Sequence, residues 1–325
     1  MSSHSCITIP DNTKAMRLAA ASLLAILIFL ASGCAGLQLQ RIREQMAGAP
    51  SRIMLENVPL YRQEARQCGA ATLAMALNFS GAATTPEALA SEVYSPSLQG
   101  SLQPAMIGAA RRSGRVAYPL RGTKVLLQEV AGGHPVIVLL NLGLSWFPRW
   151  HYAVVVGYDL LKGFVVLHSG RPDPEYLPFQ VFENTWARSG RWGLLVLRPD
   201  DIPVTAEEKP FLAAVLGLEK AHRWHEAVQG YRSALEKWPG SLVALMGLGN
   251  SKYALKDLHS AEKAFREAAR LHPTSGAAFN NLAQVLWEEG RRKEALVAAQ
   301  KAVTLGGPES ATFRKTLQEM QRKQP

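Results

Sequence analysis

QEARQCGAATLAMALNF, residues 63–79, decides the reading of this chain. From Cys68 onward the run is small and apolar, the composition of a buried helix, and the thiol stands at its N-terminus. Unpaired backbone N–H groups and the helix dipole favour negative charge there, which raises the thiolate share and makes a nucleophile. A lone cysteine can equally be a small core hydrophobe, so the rest of the chain has to decide. About eighty residues on, His151 heads the apolar stretch HYAVVVGYD, which reads as a strand. A cysteine and a histidine brought together by folding are the minimum for thiol catalysis.

The chain has three cysteines, Cys6, Cys34 and Cys68. Lys14 and Arg17 precede the uncharged run LAAASLLAILIFLASG, Leu18 to Gly33, which ends at Cys34. That run is short for a membrane span, which needs roughly 20 apolar residues, and suits the core of an export signal. Leu30-Ala31-Ser32-Gly33-Cys34 resembles a bacterial lipobox, which implies a signal peptide over 1–33 and acylation at Cys34. Ala35, after the acylated position, then points to the outer membrane and a chain facing the periplasm. Met16 offers a second start that would leave Cys6 untranslated. With Cys34 acylated, Cys68 has no disulfide partner in the monomer, and a thiol kept free in an oxidising compartment needs a functional reason.

The 325 residues are 47% hydrophobic and 19% charged, enough for two compact domains and unlike a disordered chain or a membrane bundle. Net charge is +10, and loss of residues 1–33 removes two cations and one anion, leaving +9. No interleaving of aromatic and basic residues of the kind that grips single strands is present, and an exported chain does not meet nucleic acid. The charge suits a membrane surface or a solvated face. Neither metal-ligand spacing nor a phosphate-binding glycine loop occurs, so no metal and no cofactor are expected.

Residues 34–52, polar with a basic centre, read as a tether, and a first domain is expected over 53–200. Helices are predicted from Cys68 to Asn78, after Thr85-Pro86-Glu87, over Gln103–Arg112 and over Lys124–Val130. The period then changes. VIVLLNL (136–142), HYAVVVGY (151–158), GFVVLHS (163–169) and WGLLVLR (192–198) are β-branched, apolar and bounded by Gly, Pro or Asp, as antiparallel strands are. Helices first and strands afterwards predict an α+β domain with the nucleophile helix packed on an antiparallel sheet.

Residues 201–207 read as a linker, and beyond them the chain repeats itself. Pro239 and Pro273 lie 34 residues apart, and in that register Ala227, Ala261 and Ala295 are equivalent, as are Ala234, Ala268 and Ala302. Tyr231 matches Phe265, with Ala299 in the third copy; Leu248 and Leu282 match Ala214 of the first. Small residues recur where helices cross closely and large ones where they fill the groove. This layout resembles the tetratricopeptide repeat, three copies over 208–308 and a capping helix completing 208–325, and implies a protein partner.

Residues 56–169 resemble the double-glycine peptidase domains that trim bacteriocin leaders, a branch of the papain-like cysteine peptidases. The resemblance is carried by VPLYRQ, QCGAATLAMAL and HYAVVVGYD, in order and spacing. It implies that Cys68 attacks the scissile carbonyl, that His151 acts as base and then acid, and that Gln63 helps backbone N–H groups hold the oxyanion. Gln63 stands five places before the cysteine, where six is common. The third member is usually an Asp followed by Pro on the strand after the histidine, and here that strand reads Val165-Val166-Leu167-His168-Ser169-Gly170. The place falls on His168; Ser169, a backbone carbonyl and Asp159 are the alternatives.

His222, His225, His259 and His272 fall on repeat helices or turns and read as solvated; His134 precedes Pro135 in a loop. Trp146, Phe147 and Trp150 read either as the rim of a substrate cleft or as packing of a long loop. Two functions follow. One is a lipid-anchored periplasmic peptidase acting on a peptide or protein through an acyl-enzyme; the other is a binding scaffold of the cell envelope on a peptidase-like fold. The intact Cys68, His151 and Gln63 favour the first, the missing carboxylate the second.

Overall fold

The computed structural model describes residues 37–62 and 67–323. The expected export signal, the lipidation site Cys34 and the expected oxyanion donor Gln63 lie outside the described residues.

Alanine, leucine and methionine between Cys68 and Phe79 leave no polar face, and helix α2 (Cys68–Phe79) is accordingly buried from Gly69 to Leu77. Phe79 and Ser80 end it, and the Ser80 N–H returns to the Ala76 carbonyl. Helix α3 (Pro86–Val93) starts as its sequence dictates, with the Thr85 hydroxyl accepting from the Ala88 N–H and Pro86 in the first turn. A short hairpin of β2 (Tyr94–Ser95) and β3 (Gly100–Ser101) leads into α4 (Gln103–Arg112). Together α2, α3 and α4 cover one face of a seven-stranded sheet.

That sheet runs in the order β4 (Val116–Arg121), β9 (Trp192–Leu197), β5 (Val136–Asn141), β6 (Trp150–Asp159), β7 (Phe164–His168), β8 (Glu175–Pro178), and every neighbouring pair is antiparallel. A further strand, β1 (Arg52–Met54), pairs with the far end of β6, from Gly157 to Asp159. The other face carries α5 (Thr123–Ala131), α6 (Phe179–Ala187) and a helix α1 over 37–45. Covering on both faces explains why β5, β6 and β9 read as continuous apolar runs rather than as an alternation. Strand β4 is absent from the sequence reading because Pro119 interrupts it; proline is tolerated where a strand lies at a sheet edge, as β4 does.

Two expectations are corrected. The described part of the tether, from residue 37 on, is docked: Ile42 and Met46 are buried, and Arg43 Nε donates to the Leu160 carbonyl at 2.7 Å. Its apolar residues, spaced four apart along a helix, find a face of the domain to cover. The stretch 201–207 is likewise packed rather than a free linker. Glu129, fully buried on α5, accepts from the Thr205 N–H at 2.7 Å, the Val204 N–H at 3.2 Å and His134 Nδ1 at 2.7 Å, and Asp201 meets the other nitrogen of His134 at 3.3 Å. One apolar core consequently runs from the sheet into the helices that follow.

Those helices stack in pairs: α7 (Glu208–Lys220) with α8 (Trp224–Lys237), α9 (Leu242–Ala254) with α10 (Leu258–Leu271), and α11 (Gly276–Glu288) with α12 (Arg292–Leu305), followed by α13 (Ser310–Arg322). The alanines at 227, 261, 295, 234, 268 and 302 are wholly buried, and Tyr231 and Phe265 fill the grooves beside them. Gly247 and Gly249 are required by that close packing, since a Cβ would lie 2.2 Å from the Tyr231 ring and 2.4 Å from Phe265. The turn inside each pair needs one left-handed residue: His222 at φ 56°, Lys256 at φ 63° and Gly290 at φ 80°. On α13, Phe313, Thr316 and Met320 are buried on one face, closing the end of the stack.

Candidate active site

Cys68 opens α2, and Gln67 ahead of it makes no side-chain cap, so the first-turn N–H groups of the helix remain aimed past the sulfur. The thiol is free and half-buried. Strand β6 brings His151 to the same place from the sheet side; it lies opposite Leu140 of β5, at the end of the strand nearest the helix N-terminus. Cys68 and His151 line one cleft of about 760 Å3, together with Ser101, Leu102, Trp150 and Ser169. No Cys68–His151 hydrogen bond is formed among the described residues, and such contacts commonly close only around substrate.

One wall of the cleft is the β2–β3 hairpin. It is pinned from the sheet by Tyr152, whose hydroxyl donates to the Ser101 carbonyl at 3.1 Å while its ring meets Trp192 edge-on at 6.0 Å. Burial, with the neighbouring Cys68 adding to it, pushes the Tyr152 hydroxyl far above its ordinary value, so it stays a donor. Ser101 also lies against the helix: a Cβ on Gly69 would sit 2.4 Å from both Ser101 Cβ and Oγ. Gly69→Ala is therefore expected to push the hairpin off α2 and lower stability by about 1–3 kcal/mol, which a denaturant melt followed by circular dichroism measures.

The rim is apolar. Trp150 and Leu102 are half-exposed and line the cleft, whereas Trp146 and Phe147 project from the 142–149 turn at 81% and 68% exposure. Neither rim nor loop packing describes all three tryptophan and phenylalanine side chains, and only Trp150 belongs to the cleft. Buried Asn141 holds the turn from inside, its Oδ1 accepting from the Gly143 and Arg149 N–H groups at 3.0 Å each.

His151 has its charged form disfavoured by burial, which holds its pKa below the ordinary 6.5; the carboxylate of Glu175 and a hydrogen bond to the Ser169 backbone act in the opposite sense, and Arg171 adds to the depression. The resting imidazole is neutral and able to take a proton. The expected third member is corrected. His168 stands opposite Val154, on the helix-side face with Tyr152 and Val166, while His151 is one residue out of phase with that face. Its Nδ1 bonds the Pro59 carbonyl at 3.3 Å, so it secures the segment leading to α2. Asp159 is at the far end of β6, accepting from the Lys162 N–H at 2.8 Å. Ser169 is the one alternative that reaches the imidazole, and its hydroxyl donates to Glu175 Oε2 at 2.6 Å. Glu175 escaped the sequence reading, although RPDP followed by the alternating EYLP carries a hairpin signal. Among the described residues no group of three His, Cys, Asp or Glu could hold a metal ion.

Residues 55–193 match the family model Peptidase_C39 like family. They form a C39-like domain. Its matched span takes in Cys68, His151, Ser169 and Glu175 and ends in β9. Among solved structures, a C39-like peptidase from Bacillus anthracis is 20% identical over 45% of this chain and 97% of its own, with a TM-score of 0.39. For the helices after the C39-like domain, the Sgt2 TPR domain from Aspergillus fumigatus is 19% identical over 37% of this chain and 80% of its own, TM-score 0.34. The Yersinia enterocolitica type III secretion chaperone SycD, in complex with a peptide of the translocator YopD, is 16% identical over 35% and 91%, TM-score 0.33. No curated protein matches the chain.

Proposed function

We propose that the chain is a cysteine peptidase, anchored by a lipid at Cys34 in the bacterial cell envelope and facing the periplasm, whose tetratricopeptide-like helices bind a protein partner. The observation that carries it is the meeting of Cys68 and His151 in one cleft of about 760 Å3. His151 takes the thiol proton, and the sulfur attacks the scissile carbonyl carbon. The oxygen, now negative, is held by the N–H groups at the start of α2, with Gln63 as a side-chain donor on the family resemblance. The C–N bond then breaks, His151 returns the proton to the leaving amine, and water cleaves the thioester by the same base.

A second reading, a binding scaffold of weak catalysis, is favoured by one specific observation: no carboxylate touches the His151 ring among the described residues. The test is a comparison of cell-envelope proteins from cells carrying the native chain and cells carrying Cys68→Ala. New protein N-termini that occur only with the native chain are expected, and identical termini in the two would leave the scaffold.

A further inference from the structure

His151 faces the main cleft on one side and, on the other, a smaller cavity of about 200 Å3 bounded by Ser169, Arg171 and Glu175. Sheet register brings Glu175 there. It opens β8 opposite Leu167, which stands opposite Val155 of β6, so Glu175 belongs to the face of the sheet that His151 also occupies, an even number of residues along β6. Ser169 joins the two. Its backbone bonds the imidazole, and its hydroxyl, buried at 9% exposure, donates to Glu175 Oε2 at 2.6 Å. Glu175 is itself held from outside by Arg171, 3.6 Å away.

With Cys68 and His151 taken as the reacting pair, on which this rests, we infer that Glu175 is the positioning residue of that pair, acting through Ser169. A group that orients an imidazole fixes its tautomer and offsets the charge it gains when it takes a proton. Neither effect requires direct contact with the ring. The Ser169 carbonyl accepts the ring N–H, the Glu175 carboxylate locks Ser169 in the conformation that presents that carbonyl, and its negative charge reaches the ring across the small cavity. The groups that face His151 are Cys68 from α2, Tyr152 on its own strand, Arg171 from the turn after β7 and Glu175 from β8. Of these, Arg171 opposes the imidazolium and Glu175 supports it.

The test is the pH dependence of iodoacetamide alkylation of the full chain, read at the Cys68 peptide by mass spectrometry. Glu175→Gln keeps the shape and a hydrogen-bond acceptor but removes the charge; the plateau rate is expected to fall about tenfold and the acid limb to move to lower pH. Ser169→Ala keeps the backbone carbonyl and removes the link, and is expected to give a smaller shift of the same sign, with Glu175→Asp restoring part of both changes. A role confined to packing would lower the melting temperature and leave the acid limb where it is, and that result overturns the assignment. Should Glu175→Gln fail to fold, the Ser169→Ala profile decides: an unmoved limb overturns the assignment. His151→Ala run alongside separates the two readings. If it leaves alkylation unchanged, the reacting pair itself falls; if it abolishes the His-dependent limb while Glu175→Gln matches the native chain, only the role of Glu175 falls.

Discussion

His151→Ala is expected to lower kcat/KM for an activated ester by about 10²–10⁴-fold, the range of a positioned acid–base group. The reason lies in what the imidazole replaces. Without it the Cys68 thiol must give its proton to water at the mouth of a half-buried cleft, and nothing returns a proton to the leaving group. Burial holds the His151 pKa below 6.5, so the neutral, proton-accepting form prevails at pH 7. The acid limb of the native pH–rate profile is therefore expected below pH 6.5. A limb at or above that value, or a His151→Ala variant hydrolysing the ester at the native rate, would remove His151 from the chemistry.

Glu129→Ala should unfold the junction between the sheet and the helical repeats at a cost of about 3–5 kcal/mol, the range for removing one partner of a buried pair. Glu129 is fully buried and serves two elements at once: His134 at the end of its own helix, and the Val204 and Thr205 N–H groups of the connecting segment. Alanine would leave the His134 ring and two amide donors without an acceptor. Burial raises the Glu129 carboxyl, but the hydrogen bonds from His134 and Thr205 outweigh it and hold the carboxyl below its ordinary range. Burial alone would lower His134; Asp201 and Glu129 instead hold it up at about 9. A folded-state pKa above the unfolded 6.5 contributes stability that is complete below pH 6.5 and is lost as pH rises through about 9. The lowered carboxyls of Glu129 and Asp201 contribute above their unfolded values and lose that contribution in acid. Denaturant midpoints of the native chain are expected to fall between pH 6.5 and 9, with the fall abolished in Glu129→Ala; a midpoint flat across that window would show that this cluster stabilises nothing.

Legibility in the sequence followed the range of the interaction. The α2 helix, strands β5, β6, β7 and β9, and the 34-residue repeat were readable because local composition and spacing set them. Strand β4 was hidden by Pro119, which only an edge position makes acceptable, and β1 and β8 were too short to show a period. The docked 201–207 segment could not be read, since its partner Glu129 lies over seventy residues earlier. His168 was chosen for the third place by its position after an apolar run, but a strand sends successive side chains to opposite faces, and the phase put it with Val154 and Tyr152 instead.

By itself, the sequence determined the pieces: a thiol at a helix start, an imidazole at a strand start, and helices of constant length whose small residues recur in register. Those are properties of dipoles, side-chain volume and backbone period, which act over a turn or a strand. Tertiary structure alone decided which carboxylate stands near the imidazole, that the connecting segment is clamped rather than loose, and that the tether carries a docked helix. Each of these depends on groups far apart in the chain meeting across a sheet, where pairing register and burial, neither written in any single stretch, choose the partner.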